Sequence, residues 1–230
     1  MVITMKIKVI SFDIFQTLVD VNQRIPQIWK GILGEAYTKE EGQRGANAVL
    51  DNYPHSLNKA LQANRFYTMQ EVYLDCALTV LDKIKLSVSP EVIVDNLLIQ
   101  HAKAPLYSDV KKCMTELQKR YRIILSSDSN HTMVDDLLKH LTYDKIFISD
   151  DLSSYKGSPD GGFFRQVIHR IGVGPDEILH VGDSRSDIIG AKSAGVISCW
   201  INREKSVWTH EIRPDYTIES LSELTEVLQL

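Results

Sequence analysis

Three observations on this chain of 230 residues predict an α/β fold, a doubly wound parallel sheet with an inserted all-helical subdomain. Short apolar runs alternate with amphipathic stretches along most of the chain, the pattern of βαβ units. From residue 19 to 105 the alternation stops, and apolar residues recur at spacings of three and four, the helical period. Acidic and hydroxyl residues stand where several apolar runs end, the edge of an open α/β sheet at which ligands bind.

The strands are expected at 8–12, 122–126, 145–148, 178–181, 197–201 and 216–218, with helices at 109–119, 132–140, 163–171 and 186–194. Gly172 and Gly195 follow the last two helices and serve as their terminators. Within the segment that breaks the rhythm, Val72, Cys76, Val80 and Leu81, then Val92, Ile93, Leu97 and Leu98, mark helical faces. The chain therefore divides into a Rossmann-like core, 1–18 and 106–230, and a helical cap, 19–105. An insertion directly after the first strand is expected to lie over the mouth of the sheet, although a plain packed layer of helices has the same signature.

The composition is that of a globular protein, with 43% hydrophobic and 24% charged residues. A net charge of -4 and scattered Lys and Arg give no reason to expect nucleic acid as a partner. No run approaches the roughly 20 apolar residues of a membrane span. The first ten residues, interrupted by Lys6 and Lys8, lack a cleavage site and do not read as a signal peptide. Cys76, Cys113 and Cys199 lie too far apart for a zinc site or a disulfide framework and read as buried thiols, which fits a cytoplasmic location. The expected partner is a small-molecule substrate, and the assembly a monomer or homodimer.

Four groups fall at expected strand ends. Asp13 and Thr17 follow the first strand, Ser126, Ser127 and Asp128 close the second, Lys156 lies in the loop after the third, and Gly182-Asp183-Ser184 with Asp187 follows the fourth. Each has a bland reading: Asp13 a turn residue, Ser126 a helix cap, Lys156 a solvated lysine, Asp183 and Asp187 helix-start acids. Asp183 and Asp187 are four residues apart across a helix start and can face one point. Hard oxygen donors of this kind suit Mg²⁺.

Taken in order, Asp13-Ile14-Phe15-Gln16-Thr17, Ser126, Lys156 and Gly182-Asp183-Ser184 through Asp187 resemble the four motifs of the haloacid dehalogenase-like hydrolases. The resemblance covers the whole chain, since that family also places a helical cap between its first and second motifs. It implies that Asp13 is a nucleophile forming a covalent aspartyl intermediate. Thr17 and Ser126 would hydrogen-bond the nucleophile or the transferring group, and Lys156 would neutralise charge there. Mg²⁺ would be held by Asp13, Asp183 and the main-chain carbonyl of Phe15, with Asp187 completing the acidic set.

Phe15 departs from the family's phosphatases, which carry at this position an Asp that protonates the leaving group and activates water. Its loss removes help worth about 10² to 10⁴ in rate. The family's haloacid dehalogenases have an aromatic residue there, and Cys199-Trp200-Ile201-Asn202-Arg203, Pro214-Asp215 and Ser220-Leu221 resemble that branch. Those enzymes work without a metal, lack the acid that is Asp183 here, and use a cap arginine to receive the halide. Lys30 is the candidate for that place; Arg65 is either another cap residue that faces the site or an exposed surface arginine, and Ser127 is a further substrate contact. Gln16 replaces a customary glycine, and Asp128 is either a substitute acid or base or a turn residue.

The expected function is a Mg²⁺-dependent phosphatase acting on a small phosphorylated metabolite and slowed by Phe15. The alternatives are metal-independent hydrolysis of a 2-haloacid, and a metal-binding regulatory protein with little turnover.

Overall fold

The computed structural model describes residues 7–228. The ends of the expected core, 1–6 and 229–230, lie outside the described residues, as does most of the amino-terminal stretch weighed as a signal peptide. The chain separates into two compact units.

The first unit comprises the described residues of Met1–Val19, Leu106–Asp128 and Leu141–Leu230. Its strands are β1 (Val9–Phe12), β2 (Arg122–Ser127), β3 (Lys145–Ile148), β4 (Ile178–Gly182), β5 (Ile197–Ile201) and β6 (Tyr216–Ile218). They form one sheet in the order β3-β2-β1-β4-β5-β6, and all five pairings are parallel. Parallel strands covered by helices read as unbroken apolar runs because both faces are buried, and Val9, Ile10 and Phe12 of β1 are fully buried. Helices α5 (Val110–Leu117), α7 (Ser149–Leu152), α8 (Gly162–Ile171), α9 (Arg185–Ser193) and α10 (Leu224–Val227) belong to this unit. Phe163, Phe164 and Val167 of α8 pack with Val9, Ile124 and Ile178 of the sheet and with Ala191 of α9 in one apolar cluster. Gly172, which caps α8, and Gly195, beyond α9, take the expected left-handed backbone.

Chain order reverses on either side of β1, which lies between β2 and β4. The carboxyl ends of β1 and β4 therefore meet at the topological switch point, where such sheets bind ligands.

The second unit, Asp20–Pro105 with Ser129–His140, is all helical. It holds α1 (Ile25–Leu33), α2 (Lys39–Leu61), α3 (Met69–Ile84), α4 (Pro90–His101) and α6 (His131–Leu138). Thr68 and Glu71 form a capping box that starts α3. Trp29 of α1 lies so close to Gly45 of α2 that a β-carbon there would come within 2.4 Å of the indole ring. The sequence places residues 129–140 with the core, whereas α6 packs against α4 and groups with the helical unit. Met133, Val134 and Leu137 give it a buried face, and periodicity does not say which neighbour covers such a face. No described helix is long and apolar enough to cross a membrane. Cys76, Cys113 and Cys199 are free and buried.

Candidate active site

Asp13 stands one residue beyond β1, and its main-chain N–H donates to the carbonyl of Val181 at 2.9 Å, so the backbone of the nucleophile candidate is still part of the sheet. The next residues turn sharply: Gln16 adopts a left-handed φ of +61°, and its N–H donates to Val19 O at 2.8 Å. The turn is also held from outside. The Arg203 guanidinium donates to Thr17 O at 2.8 Å, binds both oxygens of Asp109 at 3.0 and 3.1 Å, and stacks on Tyr107 at 3.9 Å.

Asp187 reaches the same place from the first turn of α9, where it forms a capping box with Ser184. Its Oδ2 accepts from Ser184 N at 3.0 Å and Ser184 Oγ at 2.5 Å, and its Oδ1 accepts from Lys156 Nζ at 2.5 Å and meets His180 Nε2 at 2.9 Å. Lys156 Nζ also donates to Asp13 Oδ1 at 2.5 Å. All three side chains are buried. Close approach of the Lys156 loop to α9 depends on Gly190, where a β-carbon would fall 1.9 Å from Lys156 O.

Asp13, Asp183 and Asp187 present carboxylate oxygens within 4.8 Å of one another. Burial raises Asp13 to about 7 with Asp187 adding to the rise, although Lys156 pulls the other way. Asp183 is pushed well above the carboxylate range by burial and by the nearby charges of Asp13 and Asp187. Burial acts on Asp187 in the same direction, but Lys156 and His180 overcome it and hold that group strongly acidic. Lys156 is held above its ordinary value, since Asp13, Asp187 and Asp128 outweigh the effect of burial. Among the described residues no side chain bonds the carboxylate of Asp183, whose main-chain carbonyl accepts from Trp200 Nε1 at 2.9 Å. Asp13 and Asp187 thus share one lysine that leaves Asp183 unpaired, and the surplus of carboxyl groups favours a cation; oxygen donors at this spacing fit Mg²⁺.

Residues 7–195 match the family described as haloacid dehalogenase-like hydrolase. The chain belongs to that family. Over 140 residues, 58% of this hydrolase, it is 29% identical to (S)-2-haloacid dehalogenase 4A of Burkholderia cepacia, a match that spans 60% of that relative's length. It is 26% identical over 244 residues to glyceraldehyde 3-phosphate phosphatase of Pyrococcus furiosus, covering 97% of this chain and 94% of the other. The structure of the magnesium-bound HAD-hydrolase YfnB of Bacillus subtilis superposes with a TM-score of 0.82 over 97% of this chain and 99% of that one, at 20% identity.

The structure of this hydrolase brings Asp13, Lys156, Asp183 and Asp187 together as the sequence expects. Other candidates differ in what they touch. Ser126 Oγ accepts from Ser11 Oγ at 2.9 Å rather than bonding Asp13, while the hydroxyls of Thr17 and Ser127 are buried with no hydrogen-bond partner among the described residues. Asp187 has both oxygens engaged, which leaves Asp13 and Asp183 as the carboxylates open to a metal. Phe15 is half-buried beside them. Lys30 and Arg65 belong to the helical unit and are exposed there: Lys30 lies over the Tyr37 ring at 5.4 Å, and Arg65 binds Glu71 at 2.8 Å and stacks on Tyr67.

Sequence reasoning missed Ser11, His180 and the positioning part of Arg203. His180 Nδ1 lies 2.9 Å from Ser11 Oγ, so a buried polar chain runs from Ser126 through Ser11 and His180 to Asp187. Ser11 and His180 are register partners on neighbouring strands. Two polar residues at one level of otherwise apolar, fully buried runs were the available signal.

Proposed function

We propose that this hydrolase is a Mg²⁺-dependent phosphatase for a small phosphorylated metabolite, working through an aspartyl phosphate. One observation carries the reading: Asp183 places a carboxylate that has no side-chain partner among the described residues beside Asp13, in a cluster where Lys156 is already shared by Asp13 and Asp187. Such an acid is a liability in a site that handles only a carboxylate substrate and a departing halide, and it has a use if a divalent cation is bound.

Lys156 holds Asp13 Oδ1, which leaves Oδ2 to attack phosphorus. Asp187, fixed by Ser184 and His180, keeps the ammonium in place while charge gathers on the phosphoryl oxygens. Thr17 and Ser127 have hydroxyls still free to donate to a bound group. Water then attacks the aspartyl phosphate and restores Asp13. Mg²⁺ bound by Asp13, Asp183 and the Phe15 carbonyl would draw charge from the transferring group and favour the ionised form of Asp13. Phosphoryl transfer depends mainly on positioning and charge stabilisation, so a site with an apolar residue at Phe15 remains workable.

Hydrolysis of a 2-haloacid is the second reading, and Phe15 favours it, because a halide leaves without a proton. A panel of phosphomonoesters and 2-chloropropionate, each with Mg²⁺ and with chelator, decides between them. Phosphate release that needs Mg²⁺ and disappears in Asp13→Asn is expected. Halide release that persists in chelator, with no phosphate release across the panel, would overturn the proposal in favour of the second reading. Silence on both, with Mg²⁺ still raising the melting temperature, would leave a metal-binding protein of regulatory type.

A further inference from the structure

We propose that Asp128 supplies the proton transfer that Phe15 cannot, acting as the acid for the leaving group and then as the base for water. The inference rests on the phosphatase reading above.

Strand β2 runs beside β1 in parallel, with Phe12 level with Leu125. Extending that register places Asp13 level with Ser126, and Asp128 two residues further along, at the same carboxyl edge of the sheet. With strands about 4.8 Å apart and a rise of about 3.3 Å per residue, the two α-carbons lie roughly 8 Å apart. Two carboxyl side chains can serve one small group across that distance. Alternation puts Asp128 on the face that Ser126 shares with Ser11 and His180. Its carboxyl is tied to the loop that serves Asp13: Oδ1 accepts from Lys156 N at 2.9 Å, on the residue whose Nζ binds Asp13.

The second oxygen of Asp128 has no hydrogen-bond partner among the described residues, and the residue is only half-buried, so a proton on it can reach a ligand. Burial brings Asp128 to about 6, with Asp187 and Asp150 adding to the rise and Lys156 opposing it. A carboxyl in that range is present in both forms near neutrality, as an acid that must later act as a base requires. Asp187 holds no proton to give, and Asp13 is consumed as the nucleophile.

In the first step the Asp13 oxygen bonds to phosphorus, the ester P–O bond breaks, and the proton of the Asp128 carboxyl passes to the departing alkoxide. In the second, water attacks phosphorus, its proton returns to the Asp128 carboxylate, and the Asp13–phosphorus bond breaks. Protons and charge balance over the cycle, with no further reactant.

Asp128→Asn keeps an oxygen to accept from Lys156 N and removes the titratable carboxyl. The test compares kcat/KM, which reads the reaction through the first irreversible step, for an alkyl phosphomonoester and for p-nitrophenyl phosphate, whose leaving group needs little protonation. A loss of about 10² or more on the alkyl ester with less than tenfold on p-nitrophenyl phosphate is expected. Equal losses on both, or none on either, would overturn the assignment, since a merely structural role does not discriminate between leaving groups. If the variant does not fold, wild type alone decides: an acid in place gives a shallow dependence of kcat/KM on leaving-group basicity, and a steep one would overturn the proposal. Wild type that releases phosphate from neither ester refutes the phosphatase reading instead, so the two failures are distinct.

Discussion

At Gln16 the backbone turns left-handed, with φ +61°, three residues after the nucleophile candidate. That conformation costs a residue with a β-carbon about 1–2 kcal/mol, and glycine avoids the cost while giving back part of it, about 0.5–1 kcal/mol, in chain entropy. Gln16→Gly should therefore stabilise the sheet-bearing unit by up to about 1 kcal/mol and raise its thermal midpoint by roughly 2–4 °C, as read by calorimetry. An unchanged or lower midpoint would show that the Gln16 side chain gives more than its backbone costs. Phe15, next to it, is half-buried, so a carboxylate can be accommodated there. Phe15→Asp is expected to increase kcat/KM for alkyl phosphates by tenfold or more, and to do so most in the Asp128→Asn background, where it restores a missing acid. No gain in either background would count against phosphate ester chemistry at this site.

Elements were legible in proportion to how directly burial marks the chain. All six strands fall within a residue of their expected bounds, and β3, β5 and β6 match them; the inner strands stand out because a parallel strand covered on both faces is apolar throughout. The short helix α7 has no periodic signal over four residues and was not foreseen. Asp13, Asp183 and Asp187 were legible because they follow strand ends or open α9, and Lys156 because it falls in the loop between β3 and α8. Ser11 and His180 were not, since a buried hydrogen bond across two strands leaves no trace in the local pattern. Gly190 belongs to the same class: inside α9 it reads as a weak helix former, and only the Lys156 carbonyl, which would lie 1.9 Å from an added β-carbon, explains it. Gly190→Ala should displace the Lys156 loop, lower stability by about 1–3 kcal/mol, and reduce kcat on the order of 10² through loss of the Lys156–Asp13 alignment. Wild-type kcat in a destabilised variant would separate packing from positioning.

For the whole molecule, the site is a concentration of like charge at the switch point of the sheet, and its cost depends on pH. Asp13 is raised to about 7 in the folded protein, against an ordinary value near 3.8, and Asp183 moves in the same direction. Between those two values the folded state binds more protons than the unfolded one, so stability is highest at the acid end of this window and falls as pH rises through about 7. A divalent cation at Asp13 and Asp183 requires the ionised carboxylates and competes with those protons. Mg²⁺ should therefore raise the melting temperature clearly at pH 8 and little at pH 5, and chelator should reverse the gain. At a concentration a hundredfold above Kd the stabilisation is about 2.7 kcal/mol, which for a chain of this size is several degrees. Asp183→Asn should abolish the Mg²⁺-dependent rise, and at pH 8 it should leave the metal-free protein at least as stable as wild type, because it removes a buried like charge. Calorimetry of both proteins at the two pH values, with and without Mg²⁺, checks all of these. A shift that is the same at pH 5 and pH 8, or that survives Asp183→Asn, would place the cation away from this cluster and remove the main support for phosphoryl chemistry.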